Sequence, residues 1–158
     1  MDPVLAVGGR TFVVDRATEA DVPALLPLLA DDALGARRET DDPEPYLAAL
    51  REIDADPRHL LVAVRDDDGA VVATMQLTLL PGLARAGATR LQVEAVRVAR
   101  AARGGGLGAA PLEWAHGWGR ERGATLVQLT SDRSRTDAHR FYERLGYAPR
   151  HVGFTRPL

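Results

Sequence analysis

The segment Arg103-Gly104-Gly105-Gly106-Leu107-Gly108 decides how the rest of the chain is interpreted. It lies between an apolar run, Leu91 to Val98, and a stretch from Leu107 to about Arg122 whose pattern predicts a helix. Its four glycines let the backbone approach a ligand without obstruction by side chains. A helix that begins here directs its unpaired N–H groups and its positive dipole end at that ligand. The segment therefore predicts a site for a diphosphate group.

The composition is that of one globular domain. The chain has 158 residues, of which 46% are hydrophobic and 27% charged, and its net charge of -2 argues against nucleic acid or a membrane as a partner. It has no cysteine, which excludes disulfides and thiolate metal sites and fits a reducing cytoplasm. Its four histidines are scattered, so we expect no metal site. We expect a single cytoplasmic domain over residues 1–158, with neither a secretory signal nor a membrane-spanning segment.

The first third of the chain predicts a strand followed by two helices. A β-type run covers Thr11 to Arg16, and Thr18 then begins a helix in which Asp21 completes a capping box. A second helix is expected from Pro45 to about Asp56. The acidic segment between the helices, Asp31 to Pro45, is interpreted as a solvated loop or as a mobile segment that gates substrate.

Three consecutive antiparallel strands follow. Two of them form a hairpin around a turn at Asp66 to Gly69, and the break from Pro81 to Gly87 separates the third. After the helix that begins at Leu107, the pattern predicts a buried strand, an amphipathic helix and a last strand. The expected ranges are strands Leu60–Val64, Val71–Leu80, Thr89–Ala99 and Ala124–Thr130, helix Ser134–Leu145, and a strand from Tyr147.

Three phosphate-binding motifs compete for the glycine segment. A Walker A loop needs lysine and then serine or threonine after its last glycine, but Ala109 and Ala110 follow Gly108. A dinucleotide fingerprint needs a preceding parallel strand, whereas the strand here belongs to an antiparallel series. The pattern Arg103-x-x-Gly106-x-Gly108, after a strand that ends in Val96-Arg97-Val98, instead resembles the acyl-CoA pyrophosphate loop of the GNAT acetyltransferases.

The resemblance to the GNAT family extends along the whole chain. The predicted order βα–α–βββ–α–β–α–β is similar to that of the family, and the segment from Phe141 to Tyr147 resembles its terminal helix-to-strand signature. The implied fold is an α/β (α+β) fold with a mixed, mostly antiparallel central sheet of about six to seven strands, flanked by four helices.

The resemblance implies a binding site for acetyl-CoA. Backbone N–H groups of Arg103, Gly104, Gly105, Gly106, Leu107 and Gly108 would bind the pyrophosphate, and the Arg103 guanidinium would add positive charge. The pantetheine arm would pair with the backbone of Val96, Arg97 and Val98. Arg135 stands where many members have an asparagine that contacts the cofactor, so Arg135 is included in the predicted site.

Acetyl transfer to an amine needs a base and an acid. Glu94 is the candidate base, because burial in an otherwise apolar strand would favour proton uptake by its carboxylate. Tyr142 is the candidate acid, since in the family the tyrosine at this position points at the CoA sulfur. Both residues also have structural interpretations: Glu94 as an exposed strand residue, and Tyr142 as part of the core.

The sequence favours a small primary amine as the acetyl acceptor. The region from Leu129 to the end of the chain is similar to that of small-amine acetyltransferases, including those that act on aminoalkylphosphonates. A protein N-terminal or lysine acetyltransferase and a non-catalytic acyl-CoA-binding module are the alternatives. Trp114 and Trp118 are interpreted as core or dimer contacts, which leaves a homodimer open.

Overall fold

The computed structural model of the protein describes residues 3–31 and 34–158, in which six strands form one sheet. The strands lie in the sheet in chain order, and each of the first five is antiparallel to its neighbour among them. The predicted mixed, mostly antiparallel sheet is therefore confirmed. The strands are β1 (Val4–Val7), β2 (Arg10–Arg16), β3 (His59–Arg65), β4 (Val71–Pro81), β5 (Thr89–Val98) and β6 (Ala124–Leu129).

Five helices accompany the sheet in the described ranges, one more than the sequence predicts. The additional one, α3, has only four residues and occupies the predicted break before β5, where Arg85 and Ala86 adopt positive φ angles of 58° and 57°. The helices α2, α4 and α5 match the predicted helices to within two residues at each end, whereas α1 begins four residues after the predicted start at Thr18, because Glu19–Asp21 form a 3₁₀ turn first. The helices are α1 (Val22–Ala30), α2 (Glu44–Ala55), α3 (Ala84–Gly87), α4 (Ala109–Glu121) and α5 (Thr136–Arg144).

The sequence pattern did not predict strand β1, because it is a strand of four residues at the edge of the sheet, beside β2. The two strands join through Gly8 and Gly9, whose φ angles are +56° and +77°. A two-residue hairpin loop needs positive φ at both positions, so this glycine pair is the signal that could have identified the hairpin.

The predicted capping box before α1 is confirmed, and it extends into an ion-pair cluster. Asp21 Oδ2 accepts hydrogen bonds from Thr18 N at 2.8 Å and from Thr18 Oγ1 at 3.0 Å. The Arg65 guanidinium donates to both Asp21 oxygens at 2.9 Å and to Asp15 Oδ2 at 2.9 Å. These hydrogen bonds from Arg65 hold the pKa of Asp21 below its usual value, although burial acts in the opposite direction. The cluster, Arg65 with Asp15 and Asp21, fastens the beginning of α1 to β2 and β3.

The two faces of the sheet are covered by different helices. On one face α4 packs so closely that a Cβ at Gly119 would lie 2.8 Å from Leu91 Cδ2. On the opposite face Leu25 of α1 belongs to a buried cluster with Ala17 and Ala63. Since side chains alternate across a strand, residues such as Leu61 and Ala63 face α1, while Leu60 and Val62 face away from it.

The chain divides into two compact units, residues 1–128 and 129–158. The second unit contains α5, and residues 147–158 form no regular secondary structure. The predicted last strand from Tyr147 is therefore wrong. Pro149 lacks an N–H donor and every residue from 148 to 158 is exposed, so this segment has neither the hydrogen bonds nor the burial of a strand. The expectation of one domain over the whole chain stays a prediction.

The segment from Asp31 to Pro45 combines a turn with the start of a helix. Gly35–Arg37 is a short 3₁₀ turn, and α2 begins at Glu44. Residues 32 and 33, on which part of the predicted gating segment falls, lie outside the described residues. In the described part of the chain, no helix combines the length and the apolar character needed to cross a membrane.

Candidate active site

The glycine segment forms an exposed loop directly before α4. Gly104 and Gly106 have φ angles of +91° and +90°, which favour glycine. Gly108 caps α4, which begins at Ala109, two residues later than predicted. Within residues 3–31 and 34–158, the N–H groups from Gly104 to Gly108 donate no hydrogen bond. Five neighbouring donors are thus available to an anion at the start of a 13-residue helix.

One side of the loop packs against the protein, and the side formed by Gly104 and Gly105 is open. Leu107 is buried, with 1% of its surface exposed. The β1–β2 hairpin lies against the loop, because a Cβ at Gly106 would lie 3.3 Å from Val7 Cγ1 and one at Gly8 would lie 3.4 Å from the Gly105 carbonyl oxygen. A Cβ at Gly104 or Gly105 would meet nothing within 4 Å. The loop has the space and the donors that a pyrophosphate requires.

Two arginines of this region share one carboxylate. Arg103 Nη2 donates to Asp31 Oδ2 at 2.8 Å, and Arg100 Nε donates to Asp31 Oδ1 at 2.8 Å. Arg103 Nε also donates to the carbonyl oxygen of Val98 at 2.9 Å. The sequence predicts that the Arg103 side chain adds positive charge to the phosphate site. In the structure this side chain is hydrogen-bonded to Val98, at the end of β5, and to Asp31, directly after α1. One carboxylate against two guanidinium groups leaves a net positive charge beside the loop.

Strand β5 contains a β-bulge at the centre of the candidate site. Thr74 of β4 pairs with Arg97, but Gln76 pairs with Glu94, so that two residues of β5 lie opposite one of β4. One of the two is Ala95, which has a φ of +51°. The bulge turns the end of β5 relative to β4. The bulge and the glycine loop border a narrow cleft of about 10 Å³, lined by residues of β3, β4, β5, the loop and α4, including Val96, Arg97, Val98, Leu107 and Gly108.

Glu94 lies on the α1 face of the sheet and is exposed. Its pairing with Gln76 directs both side chains to the same face, with Cβ atoms about 5 Å apart. The expected burial of Glu94 is therefore wrong, because the residue precedes the bulge, where the sheet is opened to solvent. Glu94 is the strand neighbour of Gln76 and is not among the residues that line the cleft.

An apolar pocket of about 120 Å³ lies on the same face between α1, α2 and β4. It was not predicted from the sequence, because its leucines have the spacing of ordinary core residues on a helix. None of its lining residues is charged. They are Val22, Leu25, Leu26, Leu29, Tyr46, Ala49, Leu50, Ile53, Leu61, Thr74, Gln76 and Ala95.

The pocket and the cleft meet at the bulge. Thr74 lines both of them, while Ala95 lines the pocket and Val96 lines the cleft. The Thr74 hydroxyl donates to the carbonyl oxygen of Val62 at 2.8 Å. The Tyr46 hydroxyl donates to Glu39 Oε2 at 2.6 Å and accepts from the Thr40 amide at 3.0 Å. Both hydroxyls on the pocket wall are therefore engaged with the protein.

The second unit contains the remaining predicted site residues. Tyr142 of α5 is half-buried, and its ring packs edge-on against Phe141 and Tyr147 at centroid distances of 5.3 and 5.7 Å. Arg135 is the residue before α5, and its amide donates to the Asp132 carbonyl oxygen at 3.0 Å. The roles of Tyr142 as acid and of Arg135 in cofactor binding stay predictions.

Known proteins resemble both the sequence and the fold. A 56-residue segment is 45% identical to an aminoalkylphosphonate N-acetyltransferase from Salmonella typhimurium, covering 35% of this chain and 36% of that relative. The chain thus matches about a third of this relative's length. A crystal structure of a transcriptional regulator from Bacillus halodurans is 37% identical, with a TM-score of 0.88 over 93% of this chain and 99% of the other.

A more distant structure shares the fold. Glucosamine-6-phosphate N-acetyltransferase from Arabidopsis thaliana is 18% identical, with a TM-score of 0.76 over 92% of this chain and 97% of that protein. Residues 23–147, which include both the glycine loop and α5, match the Acetyltransferase (GNAT) family. The chain therefore belongs to the GNAT family of acetyltransferases, whose members are acetyl-transferring enzymes that use acetyl-CoA as the donor.

Proposed function

We propose that this protein transfers the acetyl group of acetyl-CoA to a primary amine of a small molecule, by direct attack in a ternary complex. The observation that carries the proposal is the row of five unengaged N–H groups from Gly104 to Gly108 at the start of α4, next to a bulged strand. The partial similarity to an aminoalkylphosphonate N-acetyltransferase supports a small amine as the acceptor.

The residues of the loop and of β5 would hold the donor. The amides from Gly104 to Gly108 would bind the pyrophosphate, with positive charge from the Arg103 side chain, because the Arg103 N–H already donates to the Arg100 carbonyl oxygen at 3.2 Å. Arg135 would contact the cofactor, and the backbone of Val96, Arg97 and Val98 would pair with the pantetheine arm. When bound, acetyl-CoA supplies an activated thioester. The exposed loop surface at Gly104 and Gly105 fits this role, because an added Cβ there meets nothing within 4 Å.

Two side chains would move the protons. Glu94 would accept a proton from the substrate ammonium, and its position at the open side of the bulge would let it pass this proton to solvent. The free amine then forms a C–N bond with the thioester carbon while the C–S bond breaks. Tyr142 would donate its phenol proton to the departing thiolate, and the proton that the acetylated nitrogen releases would restore the phenol.

Turnover of amines with acetyl-CoA, followed by thiol release, tests the activity. Glu94→Gln and Tyr142→Phe should each lower kcat by roughly 10²-fold and leave the Kd of acetyl-CoA unchanged, because they affect proton transfer alone. Tyr147→Phe is the matched control, since it removes the hydroxyl of a neighbouring, half-buried tyrosine whose ring packs against Tyr142, and it should keep turnover.

Three outcomes would contradict the proposal. Calorimetry that detects no saturable binding of acetyl-CoA at millimolar concentration would exclude the donor. Saturable binding without turnover of any amine would leave a non-catalytic acyl-CoA-binding module, while turnover of peptide amines alone would indicate a protein acetyltransferase.

A further inference from the structure

The apolar pocket beside the bulge defines the chemistry of the acceptor. We propose that it holds the apolar tail of a primary amine, a chain or ring of about four to six carbons, so that the preferred acceptor is an alkyl or arylalkyl amine without an anionic group. This inference rests on the proposed function, which it extends from a small amine to a hydrophobic one.

The lining of the pocket selects against charge. Of its twelve lining residues, nine are apolar and the other three are Tyr46, Thr74 and Gln76. The hydroxyls of Tyr46 and Thr74 already donate to protein oxygens. A phosphonate or carboxylate placed here would lose its hydration and meet no cation from the lining residues, which is costly.

Half-buried apolar side chains favour an apolar occupant. Leu26 and Leu29 of α1, Ile53 of α2 and Leu61 of β3 all retain exposed surface while lining the pocket. Covering this surface with hydrocarbon is favourable, at about 0.8 kcal/mol for each CH₂ group. The volume of about 120 Å³ is somewhat smaller than the roughly 150 Å³ of an apolar cavity that binds benzene. A protein segment would not fit such a space, whereas one small apolar group would.

The position of the pocket directs the amine to the donor. Gln76 and Ala95 line the pocket, and Glu94 is the pairing partner of Gln76 on the same face. A tail in the pocket therefore leaves the ammonium group near the Glu94 carboxylate, which is the complementary charge. Thr74 lines both the pocket and the cleft of Val96, Arg97 and Val98, so the amine would emerge where the donor cleft begins.

Binding of a homologous amine series tests the proposal without relying on turnover. Calorimetry with CoA-saturated protein should give a Kd that falls by roughly threefold to fourfold for each methylene from ethylamine to n-butylamine, and then levels off by n-hexylamine as the pocket fills. The kcat/KM for acetylation should follow the same order. 2-Aminoethylphosphonate should bind no more tightly than ethylamine.

A pair of alanines in α2 provides the variant and its control. Ala49 is exposed and lines the pocket, whereas its exposed neighbour Ala48 does not. Ala49→Leu should weaken n-hexylamine binding at least tenfold and ethylamine binding much less, because the leucine side chain occupies space in the pocket that only the longer tail needs. Ala48→Leu should change neither. Both variants replace an exposed helical alanine with a good helix former, so folding should be retained.

The outcomes separate this inference from the proposed function. Amines that are acetylated with no dependence on chain length, or a preference for the phosphonate, would overturn the inference and leave an acetyltransferase. Chain-length-dependent binding without turnover would overturn the proposed function and support the pocket. A dependence on the length of the acyl group of the donor, with none on the amine, would assign the pocket to the acyl chain and refute the inference.

Discussion

The glycine loop and the apolar pocket recognise their ligands in opposite ways. The loop offers backbone N–H groups, and its geometry depends on positive φ angles at Gly104 and Gly106. The pocket offers hydrocarbon, and its shape depends on the side chains of α1, α2 and β4. Every reaction of the family uses the same diphosphate group, so a backbone of fixed conformation is sufficient to bind it. An acceptor varies, and side chains on helices can change without altering the loop.

Helix α1 connects these two regions. Its leucines line the pocket, and Asp31, directly after its last residue, binds Arg100 and Arg103 beside the loop. The other end of α1 is fastened by Asp21 to Arg65. The contrast therefore predicts that the two regions can be perturbed separately, and that α1 is the element through which they affect each other.

The largest expected effect is a loss of stability on removal of Arg65. Arg65→Met leaves the carboxylate of Asp21, a residue that is 8% exposed, without its bidentate partner, which should lower the free energy of unfolding by about 3 kcal/mol. Chemical denaturation measures this change. At a temperature where the variant is folded, the Kd of acetyl-CoA should stay the same, because the loop lies outside the cluster.

Arg16→Met is the matched control for Arg65→Met. Arg16 of β2 pairs with Asp54 at 2.7 Å, but both side chains are at least 40% exposed, so its removal should cost less than about 1 kcal/mol. An equal decrease in the free energy of unfolding for the two variants would show that the Arg65 cluster stabilises the fold no more than a surface ion pair does. A weakened acetyl-CoA complex in the Arg65 variant would contradict the separation of the two regions.

The second-largest expected effect comes from a change in the glycine loop, which should weaken acetyl-CoA binding. Gly106→Ala places a Cβ where φ is +90° and where Val7 Cγ1 would lie 3.3 Å away. The strain of a non-glycine residue in such a conformation is roughly 1–2 kcal/mol, so the Kd of acetyl-CoA should rise about tenfold. Gly117→Ala is the control: it lies within α4, with nothing within 4 Å of its added Cβ, and should leave the Kd unchanged. A Gly106→Ala enzyme with wild-type affinity would mean that the loop conformation does not matter for the donor.

The sequence predicted the donor side of the molecule because that side depends on residue types with few substitutes. Glycine at Gly104 and Gly106 satisfies a backbone conformation that other residues avoid, and the pair Thr18 and Asp21 forms a capping box from local hydrogen bonds alone. These features are encoded within a few positions, so they can be identified without knowledge of distant contacts. The five long strands and four long helices were predictable for the same reason, from their periodicity.

The acceptor side was not predictable, since it depends on contacts between distant segments. Leu26 and Ile53 have the spacing of core residues, and only the packing of α1 and α2 leaves a space between them. Glu94 is exposed beside the bulge at Ala95. The bulge shifts the pairing of β4 and β5 by one residue, and this shift cannot be read from either strand alone. The pairing of Asp31 with Arg103 joins residues 72 positions apart. None of these features has a local signature.

The smallest expected effect tests the link between the two regions. Asp31→Asn removes the carboxylate that Arg100 and Arg103 share, which leaves both guanidinium groups free to attract the phosphates of acetyl-CoA. Since the two arginine side chains are 74% and 50% exposed, the gain should be modest, a decrease in Kd of up to about fivefold that shrinks as salt is added. Glu19→Gln, which removes a carboxylate paired with Arg51, is the control and should leave the Kd unchanged. Weaker binding in the Asp31 variant would reverse the interpretation: the carboxylate would then position the arginines for the phosphate rather than compete with it, and the anchoring of α1 would be part of donor recognition.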